Sequence, residues 1–238
     1  MTVYPRISPR DLSVVVTGAT AGLGEAIARR FVSEGARVVA TGRRADRLNA
    51  LAAELGEDRC HPLVLDIRDQ KAVLGDFVSL AAAVSTTDAA VAKAGRALRL
   101  AAANEVDLED WEIMVDTNVK RLRYTVRSLL PGLVGRGRGH VITIGSVAGD
   151  YPYPGGNVYG ASTAFVKQFA LGLRADLKTT GVRVTNIETG MTGTAFSLVR
   201  FKGDRETAES KYRCAVSLND DAIQDTVYWA ATLPPPRN

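Results

Sequence analysis

The chain has 238 residues, 46% hydrophobic and 24% charged, a balance that fits a soluble α/β domain and excludes a disordered or fibrous chain. A formal charge of +4 is too mild, and its densest basic cluster, RGRGH at 136–140, too short, for a nucleic-acid-binding stripe. No apolar run reaches the roughly 18 residues of a membrane span, no signal-peptide pattern opens the chain, and Cys60 and Cys214 lack metal-ligand spacing; the expectation is a cytoplasmic protein with reduced thiols and with no metal, membrane or nucleic-acid partner.

SVVVTG (13–18) is a short β-branched run ending in glycine and predicts a buried strand. GEAIARRFVSEG (24–35) has helical periodicity and a stop signal at Gly35. ARVVATGR (36–43) predicts the second strand, ADRLNALAAELG (45–56) a helix closed by Gly56, and HPLVLDIRD (61–69) a third strand and its turn. This β-α-β-α-β rhythm with short connections predicts a parallel sheet with right-handed crossovers. The second half continues with a weak, alanine-rich strand near 88–95 and a long helix over about 108–135. Strand HVITIGS (140–146), a helix over 158–181 and strand VRVTNIETG (182–190) follow. A further helix precedes the Pro-rich end, with no strand after it. The expected architecture is one domain over residues 1–238: a Rossmann-type, doubly wound parallel sheet in three α/β/α layers, with its last strand missing.

TGATAGLG (17–24) falls where the first strand meets the first helix. Gly18, Gly22 and Gly24 permit a tight turn and let backbone N–H groups approach a diphosphate, with Thr20 and Leu23 in the same cradle. The helix N-terminus then faces the negative charge. A structural turn with no ligand is the plainer alternative. The end of the second strand selects the cofactor, because a carboxylate there would bond the ribose hydroxyls of NAD. Here Thr41, Gly42, Arg43 and Arg44 follow one another. Arg43, with Arg44 as second choice, can pair a 2'-phosphate through a guanidinium fork, which predicts NADP(H). A solvated basic helix start is the alternative, although cations at a helix N-terminus oppose its dipole. Asp66, at the end of the third strand, is placed either to accept from the adenine amino group or to cap the following turn.

Together with residues further along, these features resemble the short-chain dehydrogenase/reductase family over nearly the whole chain. The matching segments are TGATAGLG, TNVKRL with Asn118, IGS with Ser146 and VYGAS with Tyr159, in the family's order and spacing. PGGNVYGAS (154–162) and FSLVRFKGD (196–204) resemble its branch of NADP-dependent 3-hydroxy acid (serine or allo-threonine) dehydrogenases. The resemblance implies hydride transfer between NADPH and the carbonyl of a small substrate, in a homo-oligomer (dimer or tetramer). It implies Tyr159 as proton donor and cofactor contact, Ser146 as the donor that orients the substrate oxygen, and Asn118 as holder of a relay water. It adds Gly95 and Thr194 as cofactor contacts, Thr194 at the carboxamide. A positioned acid beside a polarising donor lowers the barrier on general grounds.

Four departures stand against the resemblance. Thr163 occupies the position, one helical turn after Tyr159, where the family carries lysine. That lysine lowers the tyrosine's pKa from its ordinary value of about 10, and losing effective acid–base chemistry costs on the order of 10²–10⁴ in rate. Lys167 lies on the same helical stripe but roughly 12 Å of axial rise from Tyr159, which makes it a poor replacement. Lys93 stands in AKAG (92–95) for an asparagine of the family; it either bonds a phosphate or ribose, or is a cation with nothing to pair it. Thr189-Gly190 replaces Pro-Gly, and the missing last strand would leave VRVTNIE as an open sheet edge. The leading reading is an NADP(H)-dependent oxidoreductase of small 3-hydroxy acids or related carbonyls. A catalytically impaired dinucleotide-binding protein or sensor, and a chain that has lost cofactor binding, are the alternatives. Arg200 is either a carboxylate clamp for the substrate or, the preferred assignment on sequence alone, a surface arginine.

Overall fold

The computed structural model describes residues 6–65, 86–93, 95–191, 195–206 and 219–234. Its sheet has six parallel strands: β1 (Ser13–Thr17), β2 (Arg37–Gly42), β3 (Cys60–Val64), β4 (Ala89–Lys93), β5 (Gly139–Ser146) and β6 (Val182–Thr189). Their spatial order is β3-β2-β1-β4-β5-β6. The chain therefore builds outward from β1 in one direction and from β4 in the other. Strands β1 and β4 are neighbours, with Val15 opposite Ala90. In an open parallel sheet the crevice that receives a ligand lies beyond the carboxyl ends of the strands at such a reversal.

All five residues of β1 are buried, as expected of a strand covered on both faces. Alternation along the strand then divides the core. Val14 and Val16 join Ile27 and Phe31 of helix α1 (Leu23–Ser33) on one side. Val15 joins Val39, Leu65 and Ala90 on the other, against Leu129 of helix α4 (Arg121–Gly135). Helix α2 (Ala45–Leu55) adds Leu48 and Leu51 to the first side. So does helix α7 (Asp220–Thr232), through Ile223 and Val227. Helix α5 (Asn157–Asp176) packs Val166 and Ala170 with Val141 and Val184. Two short helices, α3 (Leu108–Val115) and α6 (Ala195–Arg200), lie toward the carboxyl ends of the strands. The result is the expected three-layer α/β/α arrangement.

The expected helix over 108–135 is interrupted. Residues Asp116–Lys120 form a π turn between α3 and α4. Asn118, fully buried in it, turns inward and accepts from the N–H groups of Gly95 and Arg96, at 3.1 and 2.8 Å. Such bulges disturb the 3.6-residue repeat and recur at functional sites. The helix expected to reach 181 ends at Asp176, and Gly181 (φ +74°) turns the chain into β6. The expected third strand stops at Val64, with the rest of that segment outside the described residues. Pro62 is tolerated there because β3 is an edge strand.

Among the described residues no strand follows β6. The end of α7 is instead tied to it: Arg183 donates to the carbonyls of Leu233 and Ala231 at 2.9 and 3.3 Å. Two reactive residue types are core residues. His140 lies on β5 with Nε2 2.8 Å from Thr185 Oγ1, and burial, with Arg183 adding to it, pushes its pKa down to about 3. Burial likewise pushes the Cys60 thiol up, away from thiolate chemistry.

Candidate active site

Two adjoining clefts open beyond the carboxyl ends of the strands. The first, of about 450 Å³, runs along the glycine turn to Arg43 and Arg44. Gly18 (φ +70°) and Gly22 (φ +54°) hold conformations that side-chain-bearing residues rarely adopt. A Cβ on Gly24 would collide with the Gly18 carbonyl, so the turn closes only around glycine. Gly22 caps α1 without a side-chain hydrogen bond, which leaves the first helical N–H groups to an outside acceptor. Thr20 and Leu23 line the same cleft.

The two arginines after β2 differ. Arg44 folds back on the turn and donates through Nη2 to the Thr20 carbonyl at 3.0 Å and to Thr20 Oγ1 at 2.8 Å. Burial, then the charge of Arg47, lowers its pKa. Arg43 is exposed to the cleft and makes no side-chain hydrogen bond or ion pair among the described residues. A glycine cradle whose helix start has no side-chain cap, and an exposed guanidinium beyond the second strand, fit a 2'-phosphorylated dinucleotide. Asp66 and Thr194 lie outside the described residues.

The second cleft, of about 540 Å³, contains Ser146 and Tyr159. Ser146 ends β5; its Oγ accepts from the Ala148 N–H and donates to the Thr189 carbonyl, both at 3.2 Å. Tyr159, on the first turn of α5, is 8% exposed, with its ring 5.8 Å from that of Phe196. Leu23, Lys93, Gly95 and Phe196 belong to the walls of both clefts, so the two are continuous.

Asn118 is saturated rather than open to the cleft. Its Nδ2 donates to the Arg96 carbonyl and to Ser162 Oγ, both at 2.9 Å, in addition to the two bonds its Oδ1 accepts. The amide thus fixes the loop after β4 against α5 and has no bonding capacity left for a water. Thr163 is 2% exposed, and its hydroxyl lies 3.2 and 2.9 Å from the carbonyls of Tyr159 and Gly160 in its own helix. Lys167 points elsewhere, to Asp150 at 2.6 Å and Glu188 at 3.4 Å.

Arg200 is the clear correction to the sequence reading. It is only 7% exposed and lines the second cleft. Its Nη2 donates to Tyr153 Oη at 2.8 Å and its Nε to the Arg99 carbonyl at 3.3 Å, with the guanidinium carbon 5.6 Å from the Tyr159 ring centre. The Arg99 N–H returns a bond to the Arg200 carbonyl at 2.8 Å. These partners are remote in sequence, so residue type alone suggested a surface arginine.

Sequence reasoning also missed Arg96 and Arg121, both in the first cleft. Arg121 follows the π turn directly, and a helix drawn through 108–135 without that turn puts it out of phase. Asp110, 2% exposed, was missed too; it ties Arg99 (3.2 Å) to Lys202 (2.8 Å) behind the second cleft. Among the described residues no group of three or more His, Cys, Asp or Glu side chains could hold a metal ion.

Residues 13–203 match the family model described as short chain dehydrogenase. Over 222 residues, 93% of this chain and 89% of the other, the sequence is 54% identical to "NADP-dependent 3-hydroxy acid dehydrogenase YdfG" of Salmonella typhi. It is 47% identical to "Serine 3-dehydrogenase" of Agrobacterium fabrum over 93% of this chain and 88% of that one. A solved structure described as the closed form of serine dehydrogenase complexed with NADP+ is 51% identical. It covers 94% of this chain and 90% of its own, with a TM-score of 0.91. The chain belongs to the short-chain dehydrogenase family.

Proposed function

We propose that the protein is an NADP(H)-dependent oxidoreductase that interconverts a carbonyl and a hydroxyl on a small substrate such as a 3-hydroxy acid. The observation that carries this reading is the meeting of the two clefts. One holds the glycine cradle and an available Arg43; the other holds Ser146 and Tyr159. Relatives named as NADP-dependent 3-hydroxy acid and serine dehydrogenases support it.

NADP(H), when held in the first cleft, would supply or accept the hydride. Ser146 rotates its single hydroxyl hydrogen from the Thr189 carbonyl to the substrate oxygen while the Ala148 N–H still holds its Oγ. Tyr159 Oη gives that oxygen a proton in reduction and takes it back in oxidation. Because the Asn118 side chain is saturated, its part is to hold the loop between the clefts. Arg200 receives a carboxylate of the substrate: it is a buried cation paired with no carboxylate among the described residues, and a guanidinium matches that group bidentately. The same reading includes a cytoplasmic homo-oligomer, a dimer or tetramer. No helix among the described residues is long and apolar enough to cross a membrane.

Calorimetric titration with NADPH and NADH tests the cofactor assignment. Arg43→Ala is expected to weaken NADPH by about 10–100-fold and leave NADH unchanged, the equivalent of one lost charged hydrogen bond. Arg44→Ala, which frees Thr20, is expected to weaken both. Equal weak binding of the two dinucleotides to the wild type would refute the assignment. NADPH oxidation with small β-keto acids and semialdehydes tests the chemistry, and no turnover at high enzyme concentration would overturn it. On that panel Arg200→Leu is expected to raise KM for β-keto acids by about 10–100-fold and to spare simple ketones. A melting curve checks that the variant is folded.

A further inference from the structure

Lys93 ends β4 at the junction of the two clefts and belongs to the wall of both. Its root is fixed beside β1, because its backbone N–H donates to Thr17 Oγ1 at 2.9 Å. The side chain reaches over the glycine turn. A Cβ placed on Gly18 would lie 3.9 Å from Lys93 Cδ and 3.3 Å from Arg121 Nη2. Two cationic side chains, one from β4 and one from the start of α4, therefore flank the same glycine of the cradle. Both side chains are partly exposed in the first cleft, so an anion seated against the turn meets two positive charges.

We propose that Lys93 and Arg121 form a two-point clamp on the diphosphate of the dinucleotide, beside Gly18 of the glycine turn. The proposal rests on the first cleft being the cofactor site. It gives Lys93, which has no part in the hydride chemistry, a ligand of definite class. It also returns a cation to the neighbourhood of the cofactor by a route other than position 163.

The clamp couples binding to protons. Burial first, then the charge of Arg121, pushes the Lys93 pKa down to about 8, with Asp220 opposing. Asp220, at the start of α7, is itself pushed up by burial, with Lys93 opposing and Asp221 reinforcing. Arg43, Arg44 and Arg96 share the first cleft and add positive charge. A bound diphosphate raises the Lys93 pKa. Between pH 8 and that raised value the complex holds more protons than the free protein, so affinity falls as pH rises through this window.

Calorimetric titration with NADPH at pH 8.5, in two buffers of different ionisation enthalpy, measures the protons taken up. The wild type is expected to take up a measurable fraction of a proton, the share of Lys93 that is neutral before binding. Lys93→Met is expected to bind about 10–100-fold more weakly and to take up none. Lys93→Arg, always charged, is expected to keep the affinity and still take up none. Melting curves confirm that both variants are folded. A Lys93→Met protein that binds NADPH as tightly as the wild type, with the same proton uptake, overturns the clamp while leaving the cofactor assignment standing. A wild type that does not bind NADPH overturns the assignment itself.

Discussion

Replacing Thr163 by lysine is expected to raise kcat/KM for carbonyl reduction by about 10²–10⁴. The position lies one helical turn beyond Tyr159, on the same side of α5. Its present hydroxyl is spent on carbonyls of its own helix and brings no charge to the phenol. Lys167, the next cation along that stripe, is committed to Asp150 and Glu188. An ammonium at 163 would stabilise the phenolate and lower the tyrosine's pKa, bringing it closer to the range where an acid–base group works in both directions. The check is a pH–rate profile of Thr163→Lys beside the wild type, from pH 6 to 10. A rise in rate with the basic limb displaced to lower pH supports the assignment of Tyr159. A folded variant with an unchanged profile would remove Tyr159 from the mechanism.

The second large effect is the converse. Tyr159→Phe keeps the ring against Phe196 and removes only Oη. It is therefore expected to lower kcat by about 10²–10⁴ with little change in melting temperature. The loss should be largest in the Thr163→Lys background. There the double variant Thr163→Lys/Tyr159→Phe is expected to show none of the gain, because residues that act as a unit are not additive. A double variant as fast as Thr163→Lys alone would mean that the lysine acts through some other group.

The parts legible in the sequence are those set by local chemistry. SVVVTG reads as a buried parallel strand because both faces of β1 are covered. The glycines of TGATAGLG announce their turn because only their conformations close it. Ser146 and Tyr159 were legible as a pair through motif order, and the structure puts both in the wall of one cleft. What was not legible depends on distant contacts. The π turn is hidden because Asn118 within it bonds to a loop more than twenty residues earlier, a contact that local periodicity does not report. Arg200 looked like a surface residue because its partners, Arg99 and Tyr153, come from other parts of the chain. The difference between Arg43 and Arg44 was likewise invisible, since it turns on which of two adjacent guanidinium groups reaches Thr20.

On the proposed assignment, the reversal of strand order between β1 and β4 separates the 2'-phosphate contacts from the substrate contacts along the polypeptide. Arg43 and Arg44 come from the stretch before β4; Ser146, Tyr159 and Arg200 come after it, and the two sets line different clefts. Groups that share no partners contribute nearly independently to free energy. Evolution, or an engineer, is thus free to retune nucleotide preference and substrate preference as separate dials. The shared wall of Leu23, Lys93, Gly95 and Phe196 is where the two settings interfere.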